Sequence, residues 1–213
     1  MTHTDRSVCN SPTMSRQPDL TRARILDAAF AEIHREGFRA AGVASILAET
    51  GLTKGAFYHH FPSKKALGLA VIDERIAPLL EDWVVRPLDD GPQASVAALL
   101  DLLACSHSAD ASAINLGCPL NNLMQEMSAL DEDFRAHLAA ILERWQRKLA
   151  ALLRRAQAAG EIRADVDCEA CALFIVAAWE GAVSVSKNLQ SAAAFHATMA
   201  QLRAYVASLR PPR

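Results

Sequence analysis

The chain is short of several things, and each shortage removes a class of protein. It has only five cysteines in 213 residues, Cys9, Cys105, Cys118, Cys168 and Cys171. That set is odd in number and sparse for a chain long enough to bury its own core, so a reducing compartment is expected and disulfide staples are not. The longest unbroken apolar run, Ala170 to Trp179, is ten residues between Glu169 and Glu180, about half of what a bilayer-spanning helix needs. The first 19 residues are polar and hold no apolar stretch of the kind a secretory signal requires. The expected location is the cytoplasm, without membrane contact. β-Branched residues are few: 11 Val, 9 Ile and 7 Thr against 41 Ala. Alanine leads the helix scale and β-branched residues fill strands, and no strand pair joined by a hairpin turn is visible, so the expected fold class is all-α. Hydrophobic residues at 51% and charged ones at 22% are those of a globular chain and exclude wholesale disorder or a collagen-like repeat. The length fits one large or two small domains.

Charge of one sign is scarce overall but unevenly placed. The formal net charge is −2, with +3 in residues 1–65 and −5 in residues 66–213. Only the N-terminal third suits a polyanion. That margin is small, so motifs must decide.

Hydrophobic periodicity places nine helices. Residues 1–19 are expected to be a disordered tail. Thr21 opens helix 1, in which Ile25, Ala28, Ala29 and Ile33 recur at 3.6 spacing until Gly37 stops it. Val43 to Thr50 and Lys54 to His60 are short helices separated by Gly51, the second capped by Thr53 and ended by Pro62. Ser63 caps helix 4, with Pro78 set inside the pattern as an expected kink. Pro92 starts helix 5, Ser106 to Asn115 is a polar stretch, and Cys118-Pro119 opens helix 6. Phe134, Leu138, Ile141, Trp145, Leu149 and Leu152 form the stripe of helix 7. Helix 8 follows Asp167 and is apolar nearly all round. Helix 9 spaces Phe195, Met199, Leu202, Val206 and Leu209 by 4, 3, 4 and 3, the alternation of a helix-packing seam.

The three short helices with a glycine in the turn match a helix-turn-helix, whose last helix inserts its N-terminal end into the DNA major groove. Gly55 would let that helix approach a base edge or phosphate closely, with Lys54, Tyr58 and His59 supplying reach. A longer string then carries a resemblance: Ile25-Leu26-Asp27-Ala28-Ala29, Gly37-Phe38, Ile46, Gly51 to Phe61, and Pro62-Ser63-Lys64-Lys65-Ala66-Leu67. Over about residues 20–70 the chain resembles the N-terminal domain of the TetR family of transcriptional repressors. It departs at Gly42, where the family often has a Ser or Thr cap, and at Leu47, where alanine is usual. The resemblance implies that Thr53, Lys54, Gly55, Tyr58 and His59 face DNA, that Lys64 and Lys65 hold phosphate, and that Phe57 and Phe61 are core. It implies a DNA-binding domain at residues 20–66 and an effector-binding and dimerisation domain at residues 67–213. No metal site is expected at His59 and His60, which point about 100° apart on a helix with no third ligand near in sequence, and no cofactor is expected.

In the larger half, Trp83, His107, Cys118, Asn121, Asn122, Gln125, Trp145, Phe174 and Trp179 are candidates to line a small-molecule pocket, since apolar walls with a few amides are the usual lining. Helices 8 and 9 are expected to form a homodimer contact through the Phe195, Met199, Leu202, Val206 and Leu209 seam. The same seam could instead complete the core of one protomer. Cys118 lies at a helix N-terminus, where the dipole favours thiolate. With Gly117, Gly181-Ala182 and Lys187 it is similar to the electrophile-responsive TetR-family repressors of reductase operons, which implies a reactive sensor thiol near a lysine; a buried inert cysteine is the alternative. Cys168 and Cys171 read as two buried thiols. The expected function is a repressor that binds a palindromic DNA operator as a homodimer and is released by a small molecule or an electrophile. The alternative is a thiol-dependent enzyme using Cys118 with His107 or His137 as base.

Overall fold

The computed structural model describes residues 16–88, 95–105 and 115–212. Among the described residues the chain is helical, with no strand. Helix α1 (Arg16–Glu36) starts five residues before Thr21, inside the stretch expected to be a tail, and ends at Gly37, whose φ of 86° needs a residue without a side chain. Helices α2 (Val43–Thr50) and α3 (Lys54–His60) have the expected bounds, separated by Gly51 at φ 68°. Thr53 caps α3 by accepting the Ala56 N–H, and Ser63 caps α4 (Lys64–Val71) by accepting that of Ala66. At α2 the N-cap is Gly42 and no side chain caps.

Helix α4 does not simply kink at Pro78. It runs on through a π-helical turn (Ile72–Ile76), an α segment (Ala77–Leu80), a second π turn (Glu81–Val85) and a 3-10 turn (Arg86–Leu88). Proline lacks an N–H and crowds the carbonyl four residues back. The wider turns absorb that misfit, and Arg75 Nη1 donates to the Glu74 carbonyl at 2.8 Å. The same guanidinium bonds Asp27 and the Ala23 carbonyl, which ties this rod to α1.

Helices α5 (Val96–Cys105), α6 (Pro119–Met127), α7 (Glu132–Ala158), α8 (Cys168–Leu189) and α9 (Ala192–Ser208) complete the described fold. Side-chain caps from Asp131, Asp167 and Ser191 open the last three. His107, a candidate pocket residue and candidate base, lies outside the described residues, like most of the polar stretch that contains it.

Two apolar clusters hold the molecule together. One joins Ile25, Leu26 and Ala29 of α1, Ile46, Phe57 and Leu67 to Leu120 and Leu123 of α6 and to Phe134 and Leu138 of α7. The helix-turn-helix is thus packed directly on two helices of the larger half. The second gathers Leu99, Leu103, Trp145, Leu152, Ile175, Met199 and Val206. Helix α8 is long and apolar enough to cross a membrane by length and composition. It packs against α7 and α9, with Ala172, Ile175 and Ala182 in this second cluster.

The expected dimer seam needs correction. Phe195, Met199, Leu202, Val206 and Leu209 are each at most 4% exposed within a single chain. They face α5 and α8 of their own protomer, because large side chains at 4-3 spacing fill the space between helices and leave nothing to offer a partner. The outward row of α9 is made of small residues, Ala193, Ala197, Ala200 and Ala204, and the outward face of α8 carries Leu173, Phe174, Ala177, Gly181, Val185 and Leu189, all exposed.

Candidate nucleic-acid interface

Helix α3 is anchored from below and bare above. Phe57 is fully buried and Phe61 nearly so, and their rings fix the helix against α1 and α4. Thr53, Lys54, Gly55, Tyr58 and His59 are all exposed on the other side. Tyr58 stands with its ring edge-on to Phe57, centroids 5.1 Å apart, which limits the directions it can point. Gly55 is informative because the protein itself does not need it: an added Cβ would meet only Thr53 Oγ1, at 3.9 Å. A glycine inside a helix costs about 0.5–1 kcal/mol relative to alanine. Neither packing nor backbone geometry explains accepting that cost here, whereas close approach of an outside surface does.

The two lysines behind α3 are not free. Lys64 Nζ donates to the Arg39 carbonyl at 3.0 Å and lies 4.9 Å from the centre of the Phe38 ring. Lys65 Nζ sits 2.8 Å from Asp131 and 2.7 Å from Asp133, two carboxylates at the start of α7. Those bonds hold the Lys65 ammonium above the usual lysine range and Asp131 below the usual carboxylate range. In this structure both lysines are engaged by the protein rather than poised for phosphate.

In the larger half the sequence candidates divide. Asn121 and Asn122 come together with Cys118 and Lys187 around the start of α6. Asn121 Nδ2 donates to the Glu180 carbonyl at 3.1 Å and to Ser184 Oγ at 2.7 Å. Lys187 Nζ donates to Asn122 Oδ1 at 2.9 Å. Gln125 reaches only the margin, 3.5 Å from Asn121 Oδ1. Trp145 and Trp179 meet edge to face at 5.9 Å. Trp83 and Phe174 are corrected: they are 70% and 48% exposed, Trp83 on the second π turn and Phe174 stacked edge-on against Tyr205 on the outer face of α8.

Cys118 is also corrected. It caps α6, where the helix dipole favours an anion. Burial, first, and the Glu180 carboxyl beside it, second, push the thiol far above its usual range. The dipole falls short because desolvation penalises the charged form. Lys187, expected to lower it further, is engaged by Asn122. Glu180, which the sequence marked only as the end of an apolar run, is itself pushed up by burial. Both groups are pushed toward their protonated forms, which speaks against reading Cys118 as a thiolate sensor. Sequence reasoning could have found Glu180, since an acid in the middle of a helix apolar nearly all round must be buried against something. His137, the base of the enzyme alternative, bonds Asp73 at 2.8 Å across the contact between α7 and the rod.

A cleft of about 330 Å³ opens between that rod and α7. Ala77, Pro78, Leu80, Val85, Ile141 and Trp145 give it an apolar floor, and charged residues such as Glu81 and Arg144 form its rim. The indole Nε1 of Trp145 is buried and has no hydrogen-bond partner among the described residues.

Comparison with known proteins decides the family. Residues 25–71 match the model for bacterial regulatory proteins of the tetR family, and residues 96–202 match that of the tetracyclin repressor-like C-terminal domain. The chain is 37% identical over 197 residues to the transcriptional regulator AcuR of Cereibacter sphaeroides, covering 88% of each. The chain belongs to the TetR family of transcriptional regulators. It is also 29% identical to the HTH-type transcriptional repressor DhaR of a Mycobacterium species, over 80% of this chain and 83% of DhaR. The crystal structure of a TetR regulatory protein from Rhodobacter sphaeroides superposes with a TM-score of 0.77 at 33% identity, covering 87% of this chain and 98% of that one. TetR-family regulators bind operator DNA and typically work as dimers with small-molecule effectors. This TetR-family chain is a regulator and not an enzyme, and the thiol-enzyme alternative is set aside.

Proposed function

We propose that the chain is a cytoplasmic repressor that binds a palindromic operator as a homodimer, with Thr53, Lys54, Gly55, Tyr58 and His59 of α3 in the major groove and Lys64 and Lys65 toward the phosphates. The observation that carries this is the bare face of α3 with Gly55 at its N-terminal end, a glycine the fold does not require. Lys64 and Lys65 would exchange their present partners for phosphate oxygens, a substitution of one charge-assisted bond for another. The outward faces of α8 and α9 supply the dimer contact. Alanines on α9 let backbones approach closely, and the apolar row of α8 around Gly181 is what a two-fold four-helix arrangement would bury. Release comes from a reversible small molecule rather than from an electrophile at Cys118, because Lys187, the cation that would activate the thiol, is engaged by Asn122 and the Glu180 carboxyl beside the thiol disfavours a thiolate. The cleft beside Trp145 is the site favoured for it, with an apolar floor and a charged rim.

The test is selection of bound duplexes from a random library, followed by two variants on the selected operator. Tyr58→Ala should lose affinity chiefly for that sequence. Lys64→Ala should weaken binding to all duplexes alike and lower the log-log salt slope by about 0.9, the contribution of one phosphate. A folded Tyr58→Ala protein with unchanged operator affinity refutes the docking.

A further inference from the structure

The helix-turn-helix is held by the elbow where α6 ends and α7 begins, and the contacts there differ in kind. Glu126, in the last turn of α6, accepts the backbone N–H of Phe38 through Oε2 and that of Arg39 through Oε1, both at 2.8 Å. Those amides lie in the turn after Gly37. A Cβ on Gly37 would stand 2.9 Å from Glu126 Oε2, so the glycine serves both its positive φ and the approach of the carboxylate. Phe134 of α7 packs on the Phe38 ring at 4.6 Å, over Gly68, where a Cβ would lie 2.7 Å from Phe134 Cζ. Apolar contacts of this sort set a distance and tolerate sliding. Two charge-assisted N–H···O bonds from successive amides to one carboxylate set a direction as well.

The other end of α6 is attached to α1, just before that turn. His34 Nε2 donates to the Gly117 carbonyl at 2.8 Å. The two ends of α6 therefore hold the C-terminal end of α1 and the turn that follows it. It is also bound to α8, through Asn121 to Ser184 and through Lys187 to Asn122. The helix that α8 holds is the helix that aims the helix-turn-helix.

We propose that Glu126 is a positioning residue for DNA binding: its carboxylate fixes the orientation in which the effector half presents α3. The proposal rests on the reading above that the chain binds a palindrome as a dimer. In such a dimer the orientation of each α3 relative to its own α8 sets the separation of the two recognition helices, so it is read out as a preference for half-site spacing.

The experiment uses the full-length protein, the duplex that it selects from a random library, the same duplex with one base pair added or removed at its centre, and a duplex with a single half-site. One base pair changes the separation by about 3.4 Å and the facing by about 35°. The wild type should lose at least about tenfold in affinity on either change. Glu126→Ala should bind all three spacings within about threefold of one another and the single half-site as the wild type does. Glu126→Gln, whose amide oxygen can still accept one N–H, should restore most of the discrimination. A role in stability alone would lower affinity for every duplex by the same factor and leave the ratios intact. Wild-type ratios in Glu126→Ala overturn the proposal. Should that variant fail to fold, an identical spacing profile for Glu126→Gln and for Glu126→Asp, whose shorter side chain cannot reach both amides, overturns it equally. A wild-type protein that selects no palindromic duplex overturns the operator reading and the proposal together, which separates the two failures.

Discussion

Placing a glutamate at Gly181 separates the stability of the protomer from that of the dimer. Gly181 is exposed on α8, and a Cβ added there meets nothing within 4 Å among the described residues. For the isolated chain the change is favourable, since replacing a helical glycine by a good helix former stabilises by about 0.5–1 kcal/mol. The dimer experiences the opposite. Gly181 lies at the centre of the outward row formed by Phe174, Ala177 and Val185, so a two-fold contact would bury the new carboxylate and its symmetry mate together, unpaired and of like sign. The effective penalty is several kcal/mol per buried ion. Taking about 5 kcal/mol in total as a low figure, the dissociation constant should rise more than a thousandfold. Light scattering or sedimentation at micromolar concentration should therefore report a dimer for the parent and a folded monomer, of equal or higher melting temperature, for Gly181→Glu. Leu202→Glu is the contrast: Leu202 is 4% exposed inside the protomer, so that variant should unfold rather than yield a soluble monomer. A dimeric Gly181→Glu at the same concentration would refute the assignment of the outward face of α8.

Gly55→Ala should fold with a melting temperature at or slightly above that of the parent, because its Cβ fits, yet bind the selected operator at least tenfold more weakly in a gel-shift titration; unchanged affinity would mean that no surface approaches α3 there. Glu180→Gln tests the buried carboxyl. Its folded pKa is raised, so the folded state keeps a proton that the unfolded state loses, and stability falls as pH rises from the ordinary carboxyl range through the folded value. The melting temperature of Glu180→Gln should therefore gain on the parent between pH 4 and pH 8, while a constant difference would show that Glu180 titrates normally. Asp131→Asn should lower stability near neutrality and converge on the parent in acid. Its carboxyl is depressed by Lys65, so the stability it contributes is present above the unfolded pKa and is lost as pH falls through the folded value.

The DNA-binding half was legible because its determinants are local. The bounds of α2 and α3, the caps at Thr53 and Ser63 and the breaks at Gly37 and Gly51 each depend on residues within four positions, and all were readable in order. The Pro78 expectation was half right for a comparable reason. A proline states that one hydrogen bond is missing, but whether the helix bends or widens depends on what lies beside it, here Arg75 tied back to Asp27 and the Ala23 carbonyl. Lys64 and Lys65 are legible as cations near α3, yet their present partners, Arg39 and the Asp131–Asp133 pair, come from the turn after α1, 25 residues earlier, and from the start of a helix 66 or more residues later.

The larger half resisted for a different physical reason: periodicity reports that a helix face is packed without saying against which chain. Helix α9 carries two rows with the same 4-3-4 spacing, one of Phe195, Met199, Leu202 and Val206 and one of Ala193, Ala197, Ala200 and Ala204. The first is the stronger hydrophobic signal and by spacing alone predicts the seam between subunits. Side-chain volume argues the other way, since a protomer's own core must be filled to crystal-like density and claims the large residues first. A surface row of alanines costs little when solvated and permits close helix contact when covered. The same reasoning explains Glu126. An acid in a polar turn of a helix reads as a solvated surface residue, and its partners are two backbone amides 87 and 88 positions earlier that carry no side-chain signal at all. The contacts that give direction to one half against the other are thus made by groups whose sequence signature is weakest, backbone N–H groups, glycines and a single carboxylate, whereas the groups with the strongest signature, the large apolar residues, fill each half and press the two together without fixing a direction.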